Sequence, residues 1–282
     1  MVNEQEFFRV LLPFAQKEPA IEGVLLTSSR ANPHAFRDEW TDFDIELFVN
    51  DFTLFQTDDW LNTFGELAAA VPKMPEKSEE HMTRLTLFQD GTKVDFQILH
   101  VSTSKKLNPL PLEYDVGYRI LLDKTGVFKN MPHPTHQAYR IQPPTEVEFA
   151  ETVNSFWWDT SYISKSLRRD ELFFAKFISE SALRLNFFQP LIEWRIGSKH
   201  DWNVNPNKMG RWFKRYLSKE DWEWIERTYA GPDLEDNWRA LFHMMDVYHD
   251  WATELATELG YPYDLQTEQN MRAYSLKLYH ER

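Results

Sequence analysis

The chain has no cysteine, which excludes disulfides and thiolate metal sites and fits a reducing compartment. It also lacks any apolar run approaching the roughly 18 residues of a membrane-spanning helix. Its first residues, Met1-Val2-Asn3-Glu4-Gln5-Glu6, show neither the basic start nor the apolar stretch of an export signal. A soluble, cytoplasmic protein is therefore expected, with no membrane partner. Positive charge is in deficit: 31 Lys and Arg face 44 Asp and Glu, for a net charge of −13. Duplex binding needs cations that neutralise phosphates, so nucleic acid is a disfavoured partner. A cationic small molecule would be attracted, although acidity also serves solubility alone in many cytosolic enzymes. Several chemical signatures are missing as well. There is no Gly-x-x-x-x-Gly-Lys-Ser/Thr phosphate loop, no dinucleotide glycine fingerprint and no Gly-x-Ser-x-Gly elbow, and the nine histidines show no metal-ligand spacing.

What is present is enough for one large domain or two modest ones, with 42% hydrophobic residues and eleven tryptophans for packing. Residues 3–16 read as an amphipathic helix, with Phe7, Phe8, Leu11, Leu12 and Phe14 near one face. Gly23 to Thr27 reads as a buried strand. Asp42 to Val49 alternates, with Asp42, Asp44 and Glu46 on one side and Phe43, Ile45 and Leu47 on the other. Asp58 to Ala70 reads as a helix carrying Trp60, Leu61, Phe64 and Leu67. Residues 84–88 and 93–99 form strands joined through Asp90-Gly91, a hairpin signal, and 116–122 could add an edge strand. Prolines punctuate 101–146, and the pair Pro143-Pro144 is the expected domain boundary. Beyond it the pattern is helical. Leu172 to Ile196 forms a long run, bent near Pro190. Ser218 caps a further helix, and Asn237 to Leu259 forms a stripe that stops at Gly260. The expected fold class is α+β: a mixed sheet domain with helices over residues 1–143, followed by an all-helical domain over 144–282.

The chemistry concentrates in the first domain. Thr27-Ser28-Ser29-Arg30 leaves the buried strand. Thirteen positions on from Ser29 comes Asp42-Phe43-Asp44, and a third acid lies in Lys93-Val94-Asp95-Phe96-Gln97. Two acids two apart on a strand present both carboxylates to one side, and Asp95 shares a face with Gln97. If the two strands are neighbours, three carboxylates converge. Such oxygen ligands suit hard divalent ions, which in phosphoryl-type transfer bind the triphosphate, activate a hydroxyl and stabilise the leaving pyrophosphate. The small residues of the turn let backbone N–H groups approach a phosphate, Ser29 can donate a hydroxyl, and Arg30 can add a charge-assisted contact. Alternating acids alone are more often a solvated face; the combination with the serine turn and the third acid carries the reading.

These residues resemble the nucleotidyltransferase superfamily and, more closely, the aminoglycoside (streptomycin) 6-adenylyltransferase family. The likeness runs through Ser29-Arg30, Asn32-Pro33, Asp42-Phe43-Asp44-Ile45, Trp60-Leu61, Asp90-Gly91, Lys93 and Asp95 in the first half. In the second it includes Asn154-Ser155-Phe156-Trp157-Trp158, Tyr162, Lys165, Arg169-Asp170-Glu171, Ala175-Lys176 and Glu193-Trp194. The resemblance implies a nucleotidyltransferase-type sheet domain. It also implies ATP as co-substrate, two Mg²⁺ ions and transfer of AMP to a hydroxyl of an aminoglycoside, streptomycin leading, with antibiotic inactivation as the outcome. Carried over, Asp42 and Asp44 would be metal ligands. Asp95 would be the third ligand and the base on the acceptor hydroxyl. Ser28, Ser29, Arg30 and Lys165 would meet the triphosphate. For the acceptor, Trp157, Trp158, Asp159, Asp170, Glu171 and Glu193 are the candidates, although adjacent tryptophans cannot share one helix face. The family usually has glycine where this chain has Ser28, and that glycine allows close phosphate approach or an unusual backbone angle. Two other readings stand beside this one: the same fold acting on a different hydroxyl acceptor, and a non-catalytic binder of nucleotides or polycations.

Overall fold

In the computed structural model, which describes residues 2–75 and 80–281, the chain divides into two compact units, Met1–Ala138 and Tyr139–Arg282. Pro143 and Pro144 lie just inside the second, ahead of its first long helix.

The first unit opens with α1 (Glu4–Lys17), started by Asn3 and Glu6 in a reciprocal capping box and burying Phe7, Leu11 and Ala15. Then come β1 (Ile21–Thr27), the single turn α2 (Ser28–Ala31), β2 (Phe43–Val49), β3 (Leu67–Val71), β4 (His81–Phe88), β5 (Lys93–His100), the short α3 (Leu112–Asp115) and β6 (Tyr118–Asp123). The strands form one mixed sheet in the order β3-β4-β5-β2-β1-β6. The central pair β2–β5 is parallel and every other pair is antiparallel. Alternation sends Val24, Leu26, Phe43, Ile45, Leu47, Val94, Phe96 and Ile98 into a core with the buried face of α1. The opposite face is covered only in part, where Leu25 and Phe48 pack against Leu107, Tyr114 and Phe128. The remainder of that face carries the polar residues of β2 and β5.

The hairpin through Asp90-Gly91 forms as expected, with Gly91 at φ 85°, and the edge strand predicted at 116–122 pairs with β1 as β6. The helix expected over 58–70 does not form. Asp59–Thr63 makes a 3₁₀ turn, and Leu67–Val71 becomes the other edge strand, paired with β4. Gly65, at φ 140°, breaks the turn, and Pro72 biases Val71 toward extended backbone. The apolar stripe is nonetheless real: Trp60 and Leu61 are buried, and Phe64 and Leu67 pack against the same core.

The second unit is helical: α4 (Glu146–Arg168), α5 (Leu172–Lys176), a π-helical stretch over Phe177–Phe188, α6 (Gln189–Lys199), α7 (Phe213–Tyr216), α8 (Lys219–Arg227), α9 (Leu234–Leu259) and α10 (Leu265–His280). Thr145 and Glu148 form the capping box of α4, Ser218 caps α8, and Gly260 ends α9 in the left-handed conformation at φ 72°. Trp157, Trp238, Trp251 and Tyr248 are fully buried at its centre. The bend expected at Pro190 takes a different form. Helical backbone continues through 172–199, but its hydrogen bonds widen to the π pattern upstream of Pro190, which lies in the first turn of α6.

Candidate active site

The site is built on the half-open face of the sheet. Asp44 on β2 and Asp95 on β5 are direct partners across the parallel pair, so their carboxylates stand side by side. Asp42 lies one residue ahead of β2 on the same side. The convergence that depended on the strands being neighbours is therefore present in the register. Like charges this close oppose one another. Burial first, then Asp95 and Asp42, raise the Asp44 carboxyl to about 6, while Lys93 and a hydrogen bond from Ser28 pull it back.

Lys93 holds the group together. Its ammonium donates to Asp42 Oδ2 at 2.5 Å and to Asp95 Oδ2 at 3.2 Å. With the ammonium between them, the acids do not close into a cage: among the described residues, no three His, Asp or Glu side chains are gathered tightly enough for a metal ion. The donor set still suits a hard divalent ion. All three candidate ligands are carboxylates. Asp95 Oδ1 is buried and accepts no hydrogen bond, its one ion-pair partner among the described residues being the Lys93 ammonium at 3.2 Å. Beyond burial, part of what raises the Asp44 carboxyl is repulsion from Asp95 and Asp42, and a cation at this point would relieve that part. Lys93 entered the sequence reading only as a matched residue; its two-residue spacing from Asp95 on one strand was the signal that it shares the face.

Ser28 begins the turn after β1 with φ 60°, the left-handed region that favours glycine. The backbone angle expected of this position is thus realised by a serine, whose hydroxyl is spent on Asp44. Ser29 is half-buried on the same turn. Gly117 backs the turn: a Cβ there would meet the backbone of Asn32 and Ala31 at 2.9 and 3.0 Å. Arg30 is buried, bonds the carbonyls of Asp42 (3.0 Å) and Thr41 (2.5 Å), and lies 3.8 Å over the Phe43 ring. The arginine thus ties the turn to the start of β2, and it also borders a cavity of about 320 Å³ shared with Trp40, Asp42 and Lys93. Further along the face, Glu46 accepts from the Tyr114 hydroxyl at 2.9 Å, and burial raises its carboxyl to about 7.

The remaining candidates lie in the helical unit. Trp157 is fully buried, donates to the Tyr263 hydroxyl at 3.1 Å and carries Arg272 on its ring. It is a core residue, the inward member of a pair that cannot share one face, because a step of 100° along a helix turns one inward and the next outward. Trp158 is 59% exposed and meets Tyr162 edge-on at 6.4 Å, and Lys165 Nζ lies 4.6 Å from the centre of the Tyr162 ring. Trp158, Tyr162 and Lys165 therefore follow i, i+4, i+7 spacing along one accessible stripe of α4. Tyr162 was missed as a site candidate, although that spacing was visible. Asp159 borders the stripe, and burial raises its carboxyl. Asp170 and Glu171 are exposed beyond the end of α4, roughly 16 Å along the axis from Asp159, so the helix does not gather them with it. Glu193 on α6 is half-buried and accepts from Gln189 at 2.9 Å. Burial raises its carboxyl, and no cation among the described residues pairs with it.

The model of the family described as streptomycin adenylyltransferase matches residues 1–278. Similar curated proteins carry the name aminoglycoside 6-adenylyltransferase. The one from Campylobacter jejuni is 31% identical over 95% of this chain and 93% of its own length. That from Bacillus subtilis is 29% identical over 93% of each, and that from Staphylococcus aureus is 26% identical over 93% of this chain and 94% of its own. Among solved structures, an aminoglycoside 6-adenyltransferase from Bacillus subtilis aligns over 99% of both chains with a TM-score of 0.49 and 24% identity.

Proposed function

The chain belongs to the streptomycin adenylyltransferase family, and from that membership we propose that it moves AMP from ATP to a hydroxyl of an aminoglycoside, with streptomycin the leading acceptor and pyrophosphate the product. The observation that carries the reading is the side-by-side register of Asp44 and Asp95 on parallel strands, with Asp42 on the same side.

In this reading the triphosphate approaches the turn at Ser28 and Ser29, with Arg30 and Lys165 as its cationic contacts. Asp42, Asp44 and Asp95 would hold two Mg²⁺ ions, which when bound neutralise triphosphate charge and acidify the attacking hydroxyl. Asp95 takes the hydroxyl proton as the acceptor oxygen bonds to the α-phosphorus and the bond to the bridging pyrophosphate oxygen breaks. Lys93 can release Asp42 and Asp95 and turn its ammonium to the phosphate charge that arrives. Trp158 and Tyr162 offer stacking surface for the acceptor, while Asp159 and Glu193 offer carboxylates to its cations. The net charge of −13 favours such a ligand.

The test is pyrophosphate release from ATP and Mg²⁺, with streptomycin and then a panel of aminoglycosides, alongside Asp44→Asn. Release that requires both an aminoglycoside and Asp44 is expected. ATP binding without release for any aminoglycoside would assign the site to a different hydroxyl acceptor, and absence of ATP binding would leave a non-catalytic protein.

A further inference from the structure

On the same sheet face, two residues beyond Asp95, the Gln97 side chain is fixed in one orientation. Its Oε1 accepts from Thr83 Oγ1 at 2.7 Å and from His81 Nε2 at 2.7 Å. Thr83 is the direct partner of Gln97 across the β4–β5 pair, and His81 lies two residues further along β4 on that face. An amide oxygen has two lone pairs, and both are taken. What remains is the NH₂ group, which makes no hydrogen bond among the described residues.

We propose that Gln97 is an acceptor-recognition residue, whose NH₂ donates to a neutral hydroxyl or ether oxygen of the acceptor beside the hydroxyl that Asp95 serves. The proposal rests on the adenylyl-transfer reading and deepens it. Two arguments select the ligand group. First, the NH₂ can only donate, so it suits an oxygen acceptor and repels an ammonium or guanidinium hydrogen. Second, the order of strands separates it from the phosphate turn. Ser28 follows β1, which flanks β2 on one side, whereas β5 and β4 lie on the other. Gln97 is therefore about two strand spacings, roughly 10 Å, from β1, and a further 7 Å or so along β5 from Asp95. In an in-line displacement the attacking and leaving oxygens lie on opposite sides of the phosphorus. With the triphosphate at the β1 turn, the acceptor occupies the β5–β4 side, and Gln97 meets a second oxygen of the same polyhydroxylated ring. The fixed amide makes the contact directional, so it discriminates between acceptors by where a hydroxyl stands.

Steady-state pyrophosphate release tests this with Gln97→Leu, Gln97→Glu and Thr83→Val, each checked for an unchanged unfolding temperature. Gln97→Glu keeps oxygens for Thr83 and His81 but removes the donors and adds a negative charge opposite Glu46, so it is read beside the uncharged Gln97→Leu. We expect Gln97→Leu and Gln97→Glu to raise the acceptor KM about tenfold, with the KM for ATP unchanged. Thr83→Val, which frees the amide to rotate, should give a smaller rise. An unchanged acceptor KM in an active Gln97→Leu enzyme overturns the proposal. So does an effect confined to the KM for ATP, which would assign the NH₂ to a phosphate oxygen. A lower acceptor KM in Gln97→Glu would mark a cation at that point and overturn it as well. A wild-type protein that releases no pyrophosphate with any aminoglycoside instead removes the aminoglycoside as acceptor, and this inference with it.

Discussion

Replacing Asp44 by Asn should make the protein more stable while ending turnover. The Asp44 carboxyl is raised from 3.8 to about 6, by burial first and then by Asp95 and Asp42. A carboxyl whose folded value is raised holds a proton that the unfolded chain has already released. Stability therefore falls as pH rises from 3.8 to about 6, and above that the full cost of the buried charge is present. That rise sets a ceiling of about 3 kcal/mol. Asparagine keeps the shape, drops the charge and still accepts the hydrogen bond from Ser28. In a unit of this size such a gain corresponds to a rise in Tm on the order of 5–10 °C. Thermal unfolding followed by circular dichroism at about pH 7.5 and about pH 4 reads it directly. The variant should melt higher at the first pH and nearly together with the wild type at the second, where Asp44 is protonated anyway. Mg²⁺ should stabilise the wild type and leave Asp44→Asn almost unmoved. Equal or lower stability of the variant at pH 7.5, or a gain that persists undiminished at pH 4, would refute the idea that the site stores electrostatic repulsion.

The adjacent tryptophans should behave oppositely. Trp157→Ala empties a fully buried position and should cost about 3–5 kcal/mol in urea unfolding, whereas Trp158→Ala should leave stability within about 0.5 kcal/mol and raise the acceptor KM. Ser28→Gly relieves a left-handed serine worth about 1 kcal/mol but frees the unfolded chain by a comparable amount, so Tm should barely move. Calorimetry should find tighter ATP binding or kinetics a faster rate, and no change in either would show that the serine is neutral. The same variant loses a hydrogen bond to Asp44, so the acid limb of the pH–rate profile should shift to higher pH.

Much of the fold was legible because its segments obey a single periodicity. The cap at Ser218, the stop at Gly260 and the Asp90-Gly91 hairpin are local signals that survive whatever packs around them. The misread segments are those where tertiary pairing decides. Trp60, Leu61, Phe64 and Leu67 satisfy helical spacing, yet residues 67–71 are extended because β4 offers an edge to pair with. The π stretch at 177–188 changes hydrogen-bond register without changing which residues are apolar, so no pattern announces it. Arg84 shows the limit most clearly. Alternation puts it on the core face with Met82 and Thr86, where it is fully buried against Asp58 at 2.5 Å. A charge there is tolerable only because an acid far away in sequence pairs with it.

The site was legible to a different depth for each residue, according to how much of its role a single strand determines. Asp42, Asp44 and Glu46 share a side by the geometry of β2 alone, and Asp95 and Gln97 by that of β5. That β2 and β5 are adjacent and parallel, so that Asp44 meets Asp95, belongs to the sheet and not to either strand. The same limit applied to Lys93 and Ser28. A lysine two residues from an acid reads as a solvated pair until Asp42 closes on its other side, and a serine in place of a glycine reads as a loss until its hydroxyl is found on Asp44. Both residues lower the cost of crowding carboxylates before any ligand arrives. Lys93 does so with a charge and Ser28 with a hydrogen bond, at the expense of a strained φ. A site assembled to bind cations and phosphates must be stable without them, and here that requirement explains residues that the chemistry alone would not have selected.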